Sequence, residues 1–277
     1  LLGTDSTILI SSSKYLNEPR LRDWVAKIAL KKNGADYPPA AEMYELIQIL
    51  QDLRDFDRLE DLFREERKTN PALDNWFNAW FCSDYTIDDL KDCAPGTVGG
   101  IYYQAATQGS YDVQIVPNFK PQTQWQYYSL RAGQTHDYEH ILTGGGFNYI
   151  GELLPYWFRL ATIDQHIQNK ELAGEMNVMG ILGTTRYLLR TVLHYPETWG
   201  AALKCIEQGI AIGRNSDPFW MAKMEDYWHT PLDEARRILG VRGAGRTGLA
   251  GAGDLGVAAP ARAVADGACP ASLAGPE

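Results

Sequence analysis

Apolar residues recur at helical spacing along most of this chain, and runs of alternating β-branched residues are nearly absent. A chain patterned this way buries its core by packing helix on helix, so the expected fold class is all-α. Pro38 and Pro39 stand where a helix begins, and Met43, Leu46, Ile47 and Leu50 follow on one helical face. An amphipathic stretch covers 58–68, and Asn70-Pro71 opens a short aromatic helix. The segment Asp92 to Gly100 is rich in turn formers, and within it Thr97 is placed to cap a helix through Tyr102 and Tyr103. Residues 108–122 read as a loop. Long helices are expected near 123–142, 147–169, 171–194 and 197–213, and shorter ones near 218–228 and 231–239.

With 45% hydrophobic residues, 277 residues supply a sizeable core. The organisation that follows is an extension over 1–14, a single multi-helix domain over 15–241, and a tail over 242–277. That tail is mostly Gly, Ala and Pro, cannot bury enough surface to offset its ordering entropy, and is expected to be disordered. The net charge of −9 counts against nucleic acid as a partner, since that needs a basic face. Cysteines 82, 93, 205 and 269 share no CxxC spacing, so free thiols in a reducing setting are expected, with no thiolate zinc site. No apolar run reaches a membrane-spanning length, and Leu1 to Ser13 lack the pattern of a secretory signal. The 8 Trp and 15 Tyr either pack a core or also line an apolar ligand site.

Chemistry concentrates in HDYEHILTGGGFNYIGE, residues 136–152. On a helix, His136 and His140 lie one turn apart on the same face, about 6 Å from each other, within reach of one ion. Asp137 is an adjacent carboxylate on the flank of that face, either a ligand or a base. Gly144, Gly145 and Gly146 break the helix, so that a second helix can fold back and bring Glu152 opposite. Two imidazoles with one or two carboxylates suit zinc, iron, manganese or cobalt rather than calcium or magnesium. The pattern is not that of a zinc protease: position 137 is Asp, one methylene shorter than the general-base Glu, and position 146 is Gly where a third His is needed. His166 lies about 21 Å from Glu152 along a continuous helix, too far to join. His194 and His229 read as surface or core histidines, and Glu139 as a solvated or outlying charge.

The spacing His136-Asp137-x-x-His140, eleven residues, then Glu152 resembles the signature of the fourth ubiquinone (coenzyme Q) biosynthesis protein family. APGTVGGIY (94–102), LRAGQTHD (130–137), HILTG (140–144) and DYWHTPLDEARRILGV (226–241) are similar to that family as well, so the resemblance runs over about 15–241. It implies an all-helical protein with a divalent metal, usually zinc, held by His136, Asp137, His140 and Glu152. It further implies removal of the C1 carboxylate from a polyprenyl benzoate precursor, with hydroxylation at that carbon. A homodimer, a polyprenylated aromatic ligand, other ubiquinone-biosynthesis proteins and peripheral membrane contact are the partners it suggests. The location would be cytoplasmic or at the inner or cytoplasmic membrane, and mitochondrial if a presequence has been trimmed. Arg131, about one and a half turns before His136, would either face a substrate carboxylate or form a salt bridge between helices. Gly174, Gly180 and Gly183 would permit close helix packing or leave room for an isoprenoid tail. Two other readings stand beside the enzyme: a lipid-binding scaffold whose metal is a structural clamp, and a paralogue acting on a different aromatic metabolite.

Overall fold

The structure, a computed structural model, describes residues 10–30, 41–108 and 119–245. Pro38 and Pro39, most of the 108–122 loop, and the tail from 246 onward with Cys269 lie outside those residues.

Capping chemistry sets most of the helix starts. Asp55 accepts the Arg58 N–H and opens α3 (Phe56–Thr69). Asn70 ends that helix and begins the next, α4 (Pro71–Ala79), by accepting the Leu73 N–H with Pro71 in the first turn. Thr97 accepts the Gly100 N–H at the head of α5 (Val98–Gln108). Thr123 and Asn169 do the same for α6 (Gln124–Thr143) and α8 (Lys170–His194). The remaining helices are α1 (Pro19–Leu30), α2 (Ala41–Leu53), α7 (Leu153–His166), α9 (Trp199–Asn215) and α10 (Leu232–Ile238). Among the described residues there is no strand, and the extended pairing is a single antiparallel bridge between Thr97 and Pro231. The all-α expectation holds. None of these helices is long and apolar enough to cross a membrane. Cys82, Cys93 and Cys205 are free thiols.

Two expected helices differ. The stretch 147–169 is helical only from Leu153, because Asn148 accepts the Gly151 N–H and holds the residues before it in a turn. The stretch 218–228 forms two 3-10 turns, Phe219–Met221 and Met224–Tyr227, separated where the Arg131 guanidinium takes the Ala222 carbonyl.

Helix α6 runs through the middle of the main core. Its N-terminal half contributes Trp125, Tyr127 and Tyr128 to an aromatic cluster with Phe63, Trp76, Phe77 and Trp220. A smaller cluster joins α1, α2 and α8 around Trp24, Leu46 and Leu50. Of the three small residues on α8, Gly180 and Gly183 meet Leu160, Met43 and Tyr156 closely, which is helix packing; Gly174 faces open space.

Candidate metal centre

The C-terminal half of α6 is buried on nearly every side: residues 137–143 are all buried, polar and apolar alike. His136 and His140 project from it with ring centroids 5.0 Å apart. Gly144 then closes the helix in the left-handed region, at φ 87°, donating its N–H to the His140 carbonyl. A Cβ on Gly151 would lie 2.0 Å from the Gly146 carbonyl oxygen, so the turn closes on itself as only glycine allows. That closure delivers Glu152, at the N-terminus of α7, to the two imidazoles. Its Oε2 lies 3.3 Å from His136 Nε2 and its Oε1 3.4 Å from His140 Nε2.

One ligand atom from each of His136, His140 and Glu152 falls within 4.8 Å of the other two. Donors about 2.0–2.2 Å from a tetrahedral ion stand roughly 3.4 Å apart, which is the spacing of each imidazole from its nearer Glu152 oxygen. His140 Nδ1 lies 3.3 Å from the Gly145 carbonyl. Donation of its N–H there leaves Nε2 with its lone pair toward the centre, the usual arrangement for a metal-ligating histidine. Phe147 stacks on the His140 ring and Tyr156 lies against His136. His140 is fully buried, whereas the His136 side chain is 28% exposed and gives the centre its opening to solvent.

Electrostatics support the same three residues. Burial acts to raise the Glu152 carboxyl, but the charge of His140 and the hydrogen bonds of both histidines overcome it and hold the group well below the ordinary range. Burial acts to lower His136, and the hydrogen bond and charge of Glu152 outweigh it, so His136 titrates above an ordinary histidine. Asp137 is pushed upward by burial, with the two histidines and a hydrogen bond from Tyr102 acting against that rise. Its Oδ2 accepts the Tyr102 hydroxyl at 2.8 Å, and it supplies no atom to the group of three.

Other expectations sort by their contacts. Glu139 is not a solvated charge: it is buried and forked against Arg159, whose guanidinium also reaches the Ala132 carbonyl and Thr135. The pair ties α6 to α7 beside the centre, and burial pushes the Glu139 carboxyl up despite Arg159. Arg131 is buried, with Gln134, Glu225 and the Ala222 carbonyl as partners, so its contacts are those of a salt bridge between segments. His166 and His194 meet the carbonyls of Ser216 and Ala29, and His229 is exposed. Sequence reasoning missed Arg159 and Tyr102; neither carries a spacing signal, since each reaches α6 from another helix.

The family model for the coenzyme Q (ubiquinone) biosynthesis protein Coq4 matches residues 82–244. A solved structure from Nostoc punctiforme PCC 73102, of a protein provisionally named for ubiquinone biosynthesis, is similar in fold. The TM-score is 0.59 and the identity 21%, over 82% of this chain and 99% of that one. No curated protein gives a significant match.

Proposed function

The chain belongs to the coenzyme Q (ubiquinone) biosynthesis protein Coq4 family, and on that footing we propose that it removes the C1 carboxylate of a polyprenylated benzoate precursor at the His136–His140–Glu152 centre, with hydroxylation at the same carbon. The observation that carries this reading is the convergence of two imidazoles and one carboxylate, preset at ligand-to-ligand distances on a partly open face. When bound there, a divalent ion supplies Lewis acidity to an oxygen of the substrate. His140 is fixed by Gly145 to offer Nε2, Glu152 brings negative charge to both imidazoles, Phe147 stacks on the His140 ring and Tyr156 packs against His136. Substrate approaches on the side of His136, the exposed donor. The bond from C1 to the carboxyl carbon breaks and CO2 leaves; the two electrons of that bond pass to O2, which takes up two protons and departs as H2O2, and water supplies the hydroxyl that joins C1. Zinc has no redox chemistry, so a zinc protein leaves that oxidation to O2 and the electron-rich ring, whereas iron would take part in it.

Reconstitution of purified protein with zinc, iron, manganese and cobalt in turn, assayed for CO2 release, tests this reading. Activity that needs O2 is the expected result; full activity with zinc under argon overturns the oxidative step. A homodimer at the surface of the inner or cytoplasmic membrane, working with other ubiquinone-biosynthesis proteins, completes the proposal.

A second reading is favoured by one observation: Glu152 bridges both histidines across the glycine turn, which a purely structural clamp would also do. Glu152→Gln separates the two. A scaffold keeps its binding of polyprenylated precursor and its partners, whereas an enzyme keeps its fold and stops turning over. Complementation of a strain lacking the ubiquinone function distinguishes a paralogue, which would fold, take up metal and fail to rescue.

A further inference from the structure

An ionised carboxylate beside a divalent cation is drawn to it, and a hydrogen bond on one of its oxygens leaves the other able to bind. Asp137 follows His136 directly, stands within a turn of His140 and is 9% exposed. Its Oδ2 accepts the Tyr102 hydroxyl of α5 at 2.8 Å. Which way a carboxylate turns depends on the partner that holds its outer oxygen, and Tyr102 is a firmly held partner. It is 2% exposed, and its ring meets Tyr138 edge-on at 5.0 Å. The Tyr138 hydroxyl accepts the Trp228 indole N–H at 2.7 Å, and Tyr85 packs against both Tyr138 and Trp228. The head of α5 is fastened to the same C-terminal segment. Val98 and Gly99 donate their N–H groups to the carbonyls of Thr230 and Trp228, and Leu232 donates to Gly96. The segments 94–102 and 226–241 are therefore one physical unit, and it presents Tyr102 to Asp137.

We propose that Tyr102 is a positioning residue: it holds Asp137 turned toward the His136–His140–Glu152 group as a further ligand, and the C-terminal segment sets metal affinity through it. The inference rests on the reading of the centre as a metal site. A carboxylate that ligates a metal is itself hydrogen-bonded, and removing such an outer partner costs about 10–100-fold in metal affinity. Tyr102 supplies no atom to the group of three, and its phenol is neutral, so its influence reaches the ion through Asp137. The influence is therefore conditional, and disappears when the carboxylate is gone.

The test is a double-mutant cycle, read by titrating metal-free protein with Co2+ and following affinity together with the visible absorption of the bound ion. Asp137→Asn is expected to weaken binding about a hundredfold with an altered spectrum, and Tyr102→Phe about tenfold with a shifted one. In the Asp137→Asn background, Tyr102→Phe is expected to change neither reading. Trp228→Phe, which takes the indole N–H from Tyr138, is expected to show a smaller loss of about threefold. A Tyr102→Phe protein with parental affinity and spectrum overturns the inference while the metal site stands. Fully additive losses in the double variant overturn it too, since the hydroxyl then acts by a route other than Asp137. So does an Asp137→Asn protein with parental affinity beside a Glu152→Gln protein that loses about a hundredfold. Should Tyr102→Phe not fold, Trp228→Phe takes its place, and parental affinity there overturns the inference. If the parent takes up no Co2+, the metal reading fails and the inference falls with it.

Discussion

The two halves of α6 are built on different principles. The first packs Trp125, Tyr127 and Tyr128 among rings from α3, α4 and the Phe219–Met221 turn, where burial and tilted or edge-on ring contacts do the work. The second carries His136 and the buried Asp137, Glu139 and His140, held in turn by Glu152, Tyr102, Arg159 and the Gly145 carbonyl. An aromatic half tolerates exchange of similar shapes. A polar half is satisfied as a set, and a missing member leaves a buried charge behind.

The largest expected effect is in the polar half. Arg159→Ala strands Glu139, whose carboxylate is buried, and should cost about 3–5 kcal/mol by denaturant unfolding. A loss below 1 kcal/mol would mean that Glu139 is neutral and the pair adds little. Trp76→Ala, which removes a ring packed on Phe77, Tyr127 and Trp220, should cost about 3–4 kcal/mol as well, yet leave metal affinity unchanged. That pair of results would establish that stability draws on both halves and metal binding on one. His140→Ala should weaken metal binding at least about a hundredfold, more than an outer residue does, as measured by competition with a chelator.

The smallest effect is set by pH. His136 titrates above the ordinary histidine value of 6.5, so a proton competes with the ion below that raised value. Metal affinity should rise by about tenfold per pH unit until His136 is deprotonated, then level off. Without metal the signs are different. The stabilisation from His136 is fully present below 6.5 and is lost as pH rises through its folded value. That from Glu152 is present above 4.5 and is lost as pH falls through its depressed folded value. The metal-free melting temperature, followed against pH, should therefore lose these contributions at both ends. A flat affinity profile between pH 6 and 8 would count against His136 as a ligand.

Local rules made much of this legible from sequence. Helical period, the caps at Asn70 and Thr97, the one-turn spacing of His136 and His140, and the glycine reversal before Glu152 all depend on residues close in the chain. What the sequence did not disclose lies where α6 stops being amphipathic. A period of 3.6 assigns Glu139 to solvent because it assumes that the helix has a solvent face, and between 137 and 143 this one has none. Arg159 and Tyr102 complete the polar half from α7 and α5, with no fixed offset that a pattern could register. The start of α7 was hidden for a related reason: the apolar run from Phe147 continues the helical period, but Asn148 and the Gly146–Gly151 contact hold those residues in a turn.

The bridge between Thr97 and Pro231 also bears on the order of assembly. His136 and Glu152 are only 16 residues apart, so the three donors can meet as soon as α6 and α7 dock. The bridge joins positions separated by nearly half the chain, and its loop-closure entropy is repaid only once the final helix is in place. During synthesis from the N-terminus, the donor cluster can therefore exist before that bridge. A nascent chain at that stage already carries all three donors, while its last helix is still to be made.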